Sequence, residues 1–259
     1  MKFSVLVPTL GLREIELERL LKSLDCQTFK DFEVVVVTQI NHDAIKKLVS
    51  ECKNLQIKHI CLDRKGLSYA RNKGLEHCSG EWVLLSDDDA WYPADGLEKL
   101  NKYTQIGDYN VILTQIYDPI KDMPYKSYKT NSFEIKNKFQ LMSKSSIEIA
   151  FKRESANKNF DENFGVGAKF PCGEEIDFLI KNFSKHKYLY VPEISVYHLK
   201  KVGNDSEMQQ YAKGAIYAKH YGRFTAKLIL LRDKLKGRNT DKKIFWKGFN
   251  EFKSIAKGN

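Results

Sequence analysis

Three consecutive aspartates, Asp87, Asp88 and Asp89, directly follow the apolar run Trp82–Ser86. Carboxylates this close raise one another's pKa and cost stability unless a cation or a hydrogen-bond network compensates their charge. In an extended stretch the side chains alternate, so Asp87 and Asp89 are expected on one side and Asp88 on the other. The pair could hold one hard divalent cation, with substrate phosphates completing its octahedral shell. The alternative for an isolated triplet is a solvated acidic turn, and the strand before it favours the cation site.

Acidic residues also begin a predicted helix after Gly173. The helix is indicated by an apolar stripe between Ile176 and Phe183, and Glu174, Glu175 and Asp177 fall in its first turn. The helix dipole favours acidic residues there, so a plain helix start is one explanation. A carboxylate held there beside a sugar acceptor could also accept a hydroxyl proton.

A single histidine, His198, ends a predicted strand beyond Pro192. An isolated histidine is often a structural residue, but neutral imidazole is also a common metal ligand. His198 is therefore a candidate third ligand beside the aspartates.

Two turns between a strand and a helix are candidates for nucleotide binding. Residues Pro8–Arg13 contain proline and glycine, and such a turn leaves free backbone N–H groups that suit a base or a phosphate. Taken alone, this turn is explained by a simple strand–helix connection. In the second turn Gly66 allows a tight bend, while Arg64 and Arg71 add cations suited to a pyrophosphate. Gly74 indicates that the following helix packs closely on the sheet.

The elements that must position these residues alternate between strand and helix in the first half of the chain. Apolar runs predict strands, and apolar residues at helical spacing predict helices. The strands are Phe3–Val7, Phe32–Val37, Gln56–Leu62 and Trp82–Ser86, and the helices are Glu14–Leu24, His42–Cys52 and Leu67–Cys78. This order predicts an α/β fold with a parallel, doubly wound sheet. Ligands bind such sheets beyond the carboxyl ends of the strands, where the aspartates lie.

The second half is less regular. Short strands are predicted at Val111–Tyr117, Ser132–Phe139 and Ile147–Phe151, which we expect to form a small second sheet beside a variable pocket. Two further short strands are predicted at Tyr188–Val191 and Ile194–Tyr197. We expect a nucleotide-sugar half at residues 1–115, an acceptor-binding and catalytic half at 116–222, and basic amphipathic helices at 223–259.

Composition indicates an ordinary folded protein. Of the 259 residues, 42% are hydrophobic and 29% are charged, unlike a disordered chain. The five cysteines are odd in number and lack metal-type spacing, which favours reduced thiols in a cytosolic protein. The N-terminal apolar run is too short for a signal peptide, and no stretch approaches the ~18 apolar residues of a membrane span. We therefore expect a protein that is neither exported by a cleaved signal nor integral.

The net charge of +10 is concentrated in the C-terminal tail. From Arg223 to Asn259 there are 11 basic and 3 acidic residues, against 32 and 30 in the rest of the chain. A nucleic-acid-binding protein is disfavoured, because the acidic triplet would repel phosphates. Within Ile244–Ala256, aromatic residues form one stripe among lysines, and Leu228, Ile229, Leu231 and Leu235 give the preceding helix an apolar face. Basic helices of this kind lie on anionic lipid. The alternative is that this stripe packs on the main domain and the lysines are merely solvated.

Taken in order, these segments resemble the family 2 glycosyltransferases, nucleotide-sugar enzymes of the GT-A fold. The resemblance extends over about 200 residues and rests on Ser4–Thr9, Phe32–Val37, Gly66–Gly74, Gly80–Asp89, Phe160–Ala168, Gly173–Phe178 and Val196–His198. It implies a Rossmann-like, mostly parallel central sheet flanked by helices. The chain departs from the family at Thr38 and Gln39, where an acidic residue usually contacts the base. The aspartate triplet also aligns with the family's metal-binding pair in two ways, which leaves two choices for the pair that touches the metal.

The resemblance also implies roles for individual residues. The nucleoside would be bordered by Pro8, Thr9 and Arg13, and Arg71 would face the diphosphate. Asp87 and Asp89 would hold Mn²⁺ or Mg²⁺. Asp88 would lie near the ribose or behind the metal ligands. Glu175 would be the catalytic base, with Glu174 and Asp177 beside it, and His198 the late metal ligand. Gln39, Arg64 and Gly66 complete the expected donor site.

The expected activity is an inverting, metal-dependent transfer of a hexose from a nucleotide-diphosphate sugar, UDP-hexose above others. The acceptor would be a hydroxyl of a glycan or of a polyprenyl-diphosphate-linked oligosaccharide in bacterial surface polysaccharide synthesis. This places the protein in the cytoplasm, at the inner face of the membrane. Two alternatives are a nucleotidyltransferase, for which Leu10–Arg13 is too poor in glycine and basic residues, and a non-catalytic nucleotide-sugar binder, against which the intact acidic motifs argue.

Overall fold

A single mixed β-sheet organises the computed structural model, which describes residues 1–156, 159–200, 207–237 and 240–258. The strands are β1 (Phe3–Thr9), β2 (Phe32–Thr38), β3 (Ile57–Cys61), β4 (Trp82–Leu85), β5 (Val111–Asp118), β6 (Met123–Pro124), β7 (Phe133–Glu134), β8 (Ile149–Lys152) and β9 (Tyr188–Tyr197). The helices are α1 (Glu14–Asp25), α2 (His42–Glu51), α3 (Leu67–Leu75), α4 (Gly96–Thr104), α5 (Glu174–Asn182), α6 (Glu207–His220), α7 (Gly222–Leu235) and α8 (Lys242–Gly258). The strand order is β3-β2-β1-β4-β8-β5-β9-β7, and β6 pairs with β5.

The first half confirms the predicted doubly wound arrangement. Strands β3, β2, β1 and β4 are parallel neighbours, and every residue of β1, β2 and β4 is buried. Continuous apolar runs form such strands because helices cover both faces of the sheet. Helices α1, α2 and α4 contribute to the core on one face, and α3, α5 and α6 to the core on the other. Helix α4 has no counterpart among the predicted elements.

The expected small second sheet is part of the main sheet instead. Strand β8 lies antiparallel between β4 and β5, and β9 pairs with β5 in parallel. Because β8 is paired on both sides, the backbone N–H and C=O groups along its two edges form hydrogen bonds with β4 and β5. An unpaired edge would expose these groups. The two short strands predicted around Pro192 are one strand, β9, whose pairing with β5 is irregular where Pro192 lies. Proline is tolerated at such a bulge because the ladder skips its missing N–H.

Close packing of α3 on the sheet confirms the prediction made for Gly74. A Cβ atom at Gly74 would lie 2.2 Å from Cδ1 of Leu6 and 2.8 Å from Cγ2 of Val37. The helix can therefore approach β1 and β2 only because this position has no side chain. As a result, the residues at the start of α3 lie at the edge of the sheet where the aspartates follow β4.

The C-terminal helices pack on the rest of the protein through the stripe that we considered for lipid contact. Phe245 and Phe249 are buried, and α8 crosses α6. At the crossing, a Cβ atom on Gly248 would lie 1.9 Å from the carbonyl oxygen of Tyr211. The aromatic stripe of α8 therefore belongs to the core, as the alternative expectation held. In the described ranges, no helix combines the length and the apolar character that crossing a bilayer requires.

Replacing Gly248 by alanine is expected to destabilise the protein. Alanine favours a helix over glycine by about 1 kcal/mol, but here its methyl group would collide with the backbone of α6. Overpacking of this kind costs about 1–3 kcal/mol, which lowers the melting temperature by several degrees. The control is Ser254→Ala on the exposed side of α8, which should leave it unchanged. Equal melting temperatures for the two variants would contradict the tight α6–α8 crossing.

Candidate active site at the carboxyl edge of the sheet

A cavity of about 450 Å³ lies where β1 and β4 end. It is lined by Pro8, Thr9, Leu10, Leu12, Arg13, Gln39, Lys65, Gly66, Leu67, Asp87, Asp88, Asp89, Val166, Gly167 and His198. Most of the residues expected at the donor and the metal therefore line one cavity, and Arg64 and Arg71 do not. Lys65 and Gly167 lie in or beside segments that the sequence singled out, but neither was given a role there.

Two glycine turns shape the walls of this cavity. Gly66 adopts a φ of +140°, and its N–H donates to Oε1 of Gln39 at 2.6 Å. Gly11 adopts a φ of +75°, and its N–H donates to Oγ1 of Thr9 at 2.9 Å. Backbone of this kind strongly favours glycine. The turns bring Thr9, the last residue of β1, and Gln39, which follows the neighbouring strand β2, to the same cavity.

The aspartates lie in a turn and not in an extended stretch. The N–H of Ala90 donates to the carbonyl oxygen of Asp87, so the strand alternation ends at β4. Asp88 and Asp89 consequently share Nη1 of Arg13, at 3.1 and 2.6 Å. Oγ1 of Thr9 also donates to Asp88 at 2.6 Å. Our expectation that Asp87 and Asp89 point together was wrong, and Arg13 lies against the carboxylates as their counter-charge.

The electrostatics of this corner follow from burial and from Arg13. Burial raises the pKa of Asp88, although the hydrogen bond from Thr9 and the charge of Arg13 act in the opposite direction. Burial lowers the pKa of Arg13, but Asp89 and Asp88 outweigh it and the pKa is raised. The guanidinium therefore remains charged and offsets part of the negative charge at the rim.

His198 lies beside Asp89. Its Nε2 is 3.1 Å from Oδ1 of Asp89, and its Nδ1 is 2.8 Å from the carbonyl oxygen of Leu199. Burial lowers the pKa of His198, but the hydrogen bond and charge of Asp89 outweigh this effect, so the pKa is raised. Both ring nitrogens face acceptor oxygens, so the imidazolium form of His198 donates a hydrogen bond at each of them.

The donor atoms at this corner fit a divalent cation only in part. One carboxylate and one imidazole 3.1 Å apart suit neighbouring positions on a cation that takes its remaining ligands from a diphosphate. Asp87 does not join them, because its Oδ1 accepts from Nη2 of Arg71 at 3.2 Å and from Ser146 at 3.3 Å. Within the part of the chain that the structure describes, no group of three or more His, Cys, Asp or Glu side chains is arranged to ligate one metal ion.

Arg71 lies behind the cavity wall and does not face a diphosphate as we expected. Its side chain is fully buried, and its Nη1 donates to Oε1 of Glu174 at 2.7 Å while Nη2 donates to Asp87. A buried cation is stable there because two carboxylates and their hydrogen bonds replace water. Arg71 therefore joins the acidic turn after β4 to the first turn of α5.

The three acidic residues of α5 have three different environments. Glu174 is buried against Arg71. Asp177 is fully buried and accepts from His220 and Lys219, each at 2.7 Å, so it fastens α6 to α5 and cannot reach an acceptor. Glu175 is half-buried and borders a groove. Burial, followed by the charge of Glu174, raises its pKa to about 8. Of the three, Glu175 alone is placed to exchange a proton with a bound molecule.

Glu175 opens into a groove of about 650 Å³, whose lining residues differ from those of the first cavity. Four basic side chains line it, namely Lys126, Lys144, Lys213 and Arg232. Each pair of these cations forms ion pairs with one buried carboxylate. Lys126 and Lys144 share Glu148, and Lys213 and Arg232 share Asp233. These cations were missed by the sequence analysis, since they come from segments far apart in the chain.

Arg64, expected at the donor, lies at a neighbouring smaller cavity of about 260 Å³. It forms an ion pair with Glu162, and its guanidinium lies 3.7 Å from the ring centroid of Tyr69. These contacts direct Arg64 away from the larger cavity.

Comparison with known proteins places the chain in a family. The model of glycosyl transferase family 2 matches residues 4–166. GalNAc(5)-diNAcBac-PP-undecaprenol beta-1,3-glucosyltransferase of Campylobacter jejuni is 31% identical over 204 residues, covering 73% of this chain and 62% of that protein. Glycosyltransferase GlyA of Streptococcus pneumoniae is 36% identical over 110 residues, covering 42% of this chain and 15% of GlyA. The chain thus spans less than two thirds of the length of these relatives.

Solved structures share the fold. TarS 1-349 of S. aureus in complex with UDP superposes with a TM-score of 0.67 at 20% identity, covering 97% of this chain and 70% of TarS. The mannosyltransferase PcManGT of Pyrobaculum calidifontis, in complex with GDP-Man and Mn²⁺, has a TM-score of 0.61 at 18% identity and covers 88% of this chain and 64% of that one. The chain therefore belongs to glycosyl transferase family 2 and has the GT-A fold.

Proposed function

We propose that this protein is an inverting glycosyltransferase that moves a hexose from UDP-hexose to a hydroxyl of a glycan or of a polyprenyl-diphosphate-linked oligosaccharide. Its setting would be bacterial surface polysaccharide synthesis at the cytoplasmic side of the membrane. The observation that carries this proposal is the pairing of two sites by Arg71, which contacts Asp87 of the acidic turn on one side and Glu174, the neighbour of Glu175, on the other. The UDP complex of TarS and the glucosyltransferase activity of the C. jejuni relative support the donor and acceptor classes.

The donor would occupy the first cavity. The backbone at Gly167 and the cation of Lys65 offer contacts for the nucleotide and its phosphates. Asp89 and His198 would hold Mn²⁺ or Mg²⁺, which as a Lewis acid supplies charge neutralisation at the diphosphate leaving group. Arg13 keeps the carboxylates of Asp88 and Asp89 compensated before a donor binds.

The acceptor would enter the groove, where Glu175 accepts its hydroxyl proton. As that oxygen attacks the anomeric carbon from the face opposite the diphosphate, the new C–O bond forms and the bond to the diphosphate oxygen breaks. The proton remains on Glu175, and the nucleoside diphosphate leaves with the electron pair. A raised pKa makes Glu175 a stronger base than an ordinary carboxylate, which favours this proton transfer.

Metal-assisted donor binding tests this proposal. We expect UDP and UDP-sugars to raise the melting temperature of the wild type more with Mn²⁺ than with EDTA, because the cation joins Asp89 to the diphosphate. Asp89→Ala should lose most of the Mn²⁺-dependent part of the shift. Asp108→Ala, at an exposed carboxylate on a distant loop, is the matched control. A Mn²⁺-dependent shift that survives in Asp89→Ala would place the cation elsewhere.

A further inference from the structure

Helix α7 exposes a continuous apolar stripe. Phe224, Leu228, Leu231 and Leu235 are 75%, 50%, 54% and 79% exposed. At the helical rotation per residue, their spacing places all four within an arc of about 60°. The opposite side of α7 is buried, with Ala226, Ile229 and Leu230 packed in the cluster around Phe245 and Phe249. We call the four exposed residues the α7 stripe.

Basic residues flank the α7 stripe on both sides. Arg223, Lys227 and Lys234 lie along one side, and Arg232 and Lys236 along the other. The sequence of α7 contains one acidic residue, Asp233, which is fully buried and already bound by Lys213 and Arg232. The exposed face of α7 is therefore apolar at its centre and positively charged at its margins.

We propose that the α7 stripe docks on the surface of an anionic lipid bilayer. Helices with an apolar face between rows of Lys and Arg lie in the headgroup region, with the apolar side chains inserted and the cations near lipid phosphates. A second copy of the chain is a poorer occupant of this face. Apposing two α7 stripes would bring the flanking cations of both copies together, while the acidic residue of α7, Asp233, is already bound within its own copy.

Helix α7 lies beside the groove that contains Glu175, so docking at α7 would bring the bilayer close to that groove. Arg232 of α7 and Lys213 of α6 line the same groove as Glu175. A bilayer bound at α7 therefore lies beside the groove, where the headgroup of a lipid-linked acceptor would be presented. This consequence rests on the proposed function, whereas the docking itself rests on the α7 stripe and its flanking charges.

Vesicle flotation of the full chain tests the docking. We expect the wild type to float with vesicles of phosphatidylcholine and phosphatidylglycerol and to remain behind with pure phosphatidylcholine. The double variant Leu228→Gln/Leu231→Gln should bind the anionic vesicles at least about tenfold more weakly than the wild type, because two apolar anchors are lost. Ile106→Gln/Ile120→Gln, at exposed apolar residues outside α7, is the matched control and should bind as the wild type does.

Further measurements separate this docking from the proposed function. The Leu228/Leu231 variant should keep the melting temperature of the wild type and its shift with UDP, since both leucines are exposed and outside the cavity. Lys227→Gln/Lys234→Gln should weaken vesicle binding and reduce its dependence on salt. Wild type that ignores anionic vesicles, or equal binding by the leucine variant, would overturn the docking. So would a wild-type dimer in light scattering that becomes a monomer in the leucine variant.

Discussion

Replacing Glu175 by glutamine is expected to lower the rate of sugar transfer by about 10²–10⁴-fold, the usual contribution of a general base. Glutamine keeps the size and polarity of the side chain but cannot accept a proton. Donor binding should be unchanged, because Glu175 lines the groove and not the donor cavity. The measurement is the initial rate of nucleoside diphosphate release in the presence of acceptor, alongside the thermal shift with UDP.

The pH profile and a matched variant sharpen this test. A base must be ionised to accept a proton, so kcat/KM should fall as pH decreases through about 8, where burial and Glu174 hold the pKa of Glu175. Glu175→Asp retains the carboxylate and should retain part of the activity. If Glu175→Gln kept more than a small fraction of the wild-type rate, the base would lie elsewhere in the protein.

Replacing Arg71 by methionine is expected to be the most destabilising single change. Methionine fills a similar volume but leaves the buried carboxylate of Glu174 without its counter-charge. Breaking a buried ion pair in this way costs about 3–5 kcal/mol, or roughly 10 °C in melting temperature for a chain of this size. Activity should also be lost, because the acidic turn at Asp87 and the first turn of α5 are no longer joined.

A matched control exists at a second arginine. Arg64 is 56% exposed in its ion pair with Glu162, and exposed pairs contribute about 0–1 kcal/mol. Arg64→Met should therefore melt close to the wild type. The double variant Arg71→Met/Glu174→Leu should regain part of the lost stability, because it removes the stranded charge. Similar melting temperatures for Arg71→Met and Arg64→Met would show that the buried network does not hold the site together.

The parallel half of the fold could be predicted because its signals are local. The apolar runs of β1, β2 and β4 and the stripe of α1 are visible within single segments. The insertion of β8 between β4 and β5 could not, since it depends on pairing between segments far apart in the chain. Such pairing leaves no periodicity that a single segment displays.

The candidate site was predictable at the level of its location but not of its side chains. The rule that ligands bind at the carboxyl ends of parallel strands placed the aspartates correctly at the rim. Whether Arg71 or Asp177 faces a cavity or the interior depends on neighbours contributed by α5 and α6, which sequence spacing does not reveal. The sequence motifs therefore suggested ligand-binding or catalytic roles for Arg71 and Asp177, whereas the structure buries both side chains in ion pairs.

The C-terminal helices show the same ambiguity most clearly. Both α7 and α8 combine apolar and basic residues, so both sequences suggest contact with a lipid surface. Packing separates them, because Phe245 and Phe249 of α8 are buried, whereas Leu228 and Leu231 of α7 are exposed. Only the tertiary partners of each stripe decide which one remains free to dock.

The most direct test of the central claim is a crystal structure of the protein with Mn²⁺ and the nucleoside diphosphate that gives the largest thermal shift. The account predicts the nucleotide in the cavity between Thr9, Gly66 and the acidic turn, with its diphosphate directed to Asp89 and His198 and the groove of Glu175 open beside it. A nucleotide bound at another surface, with this cavity empty, would contradict the account.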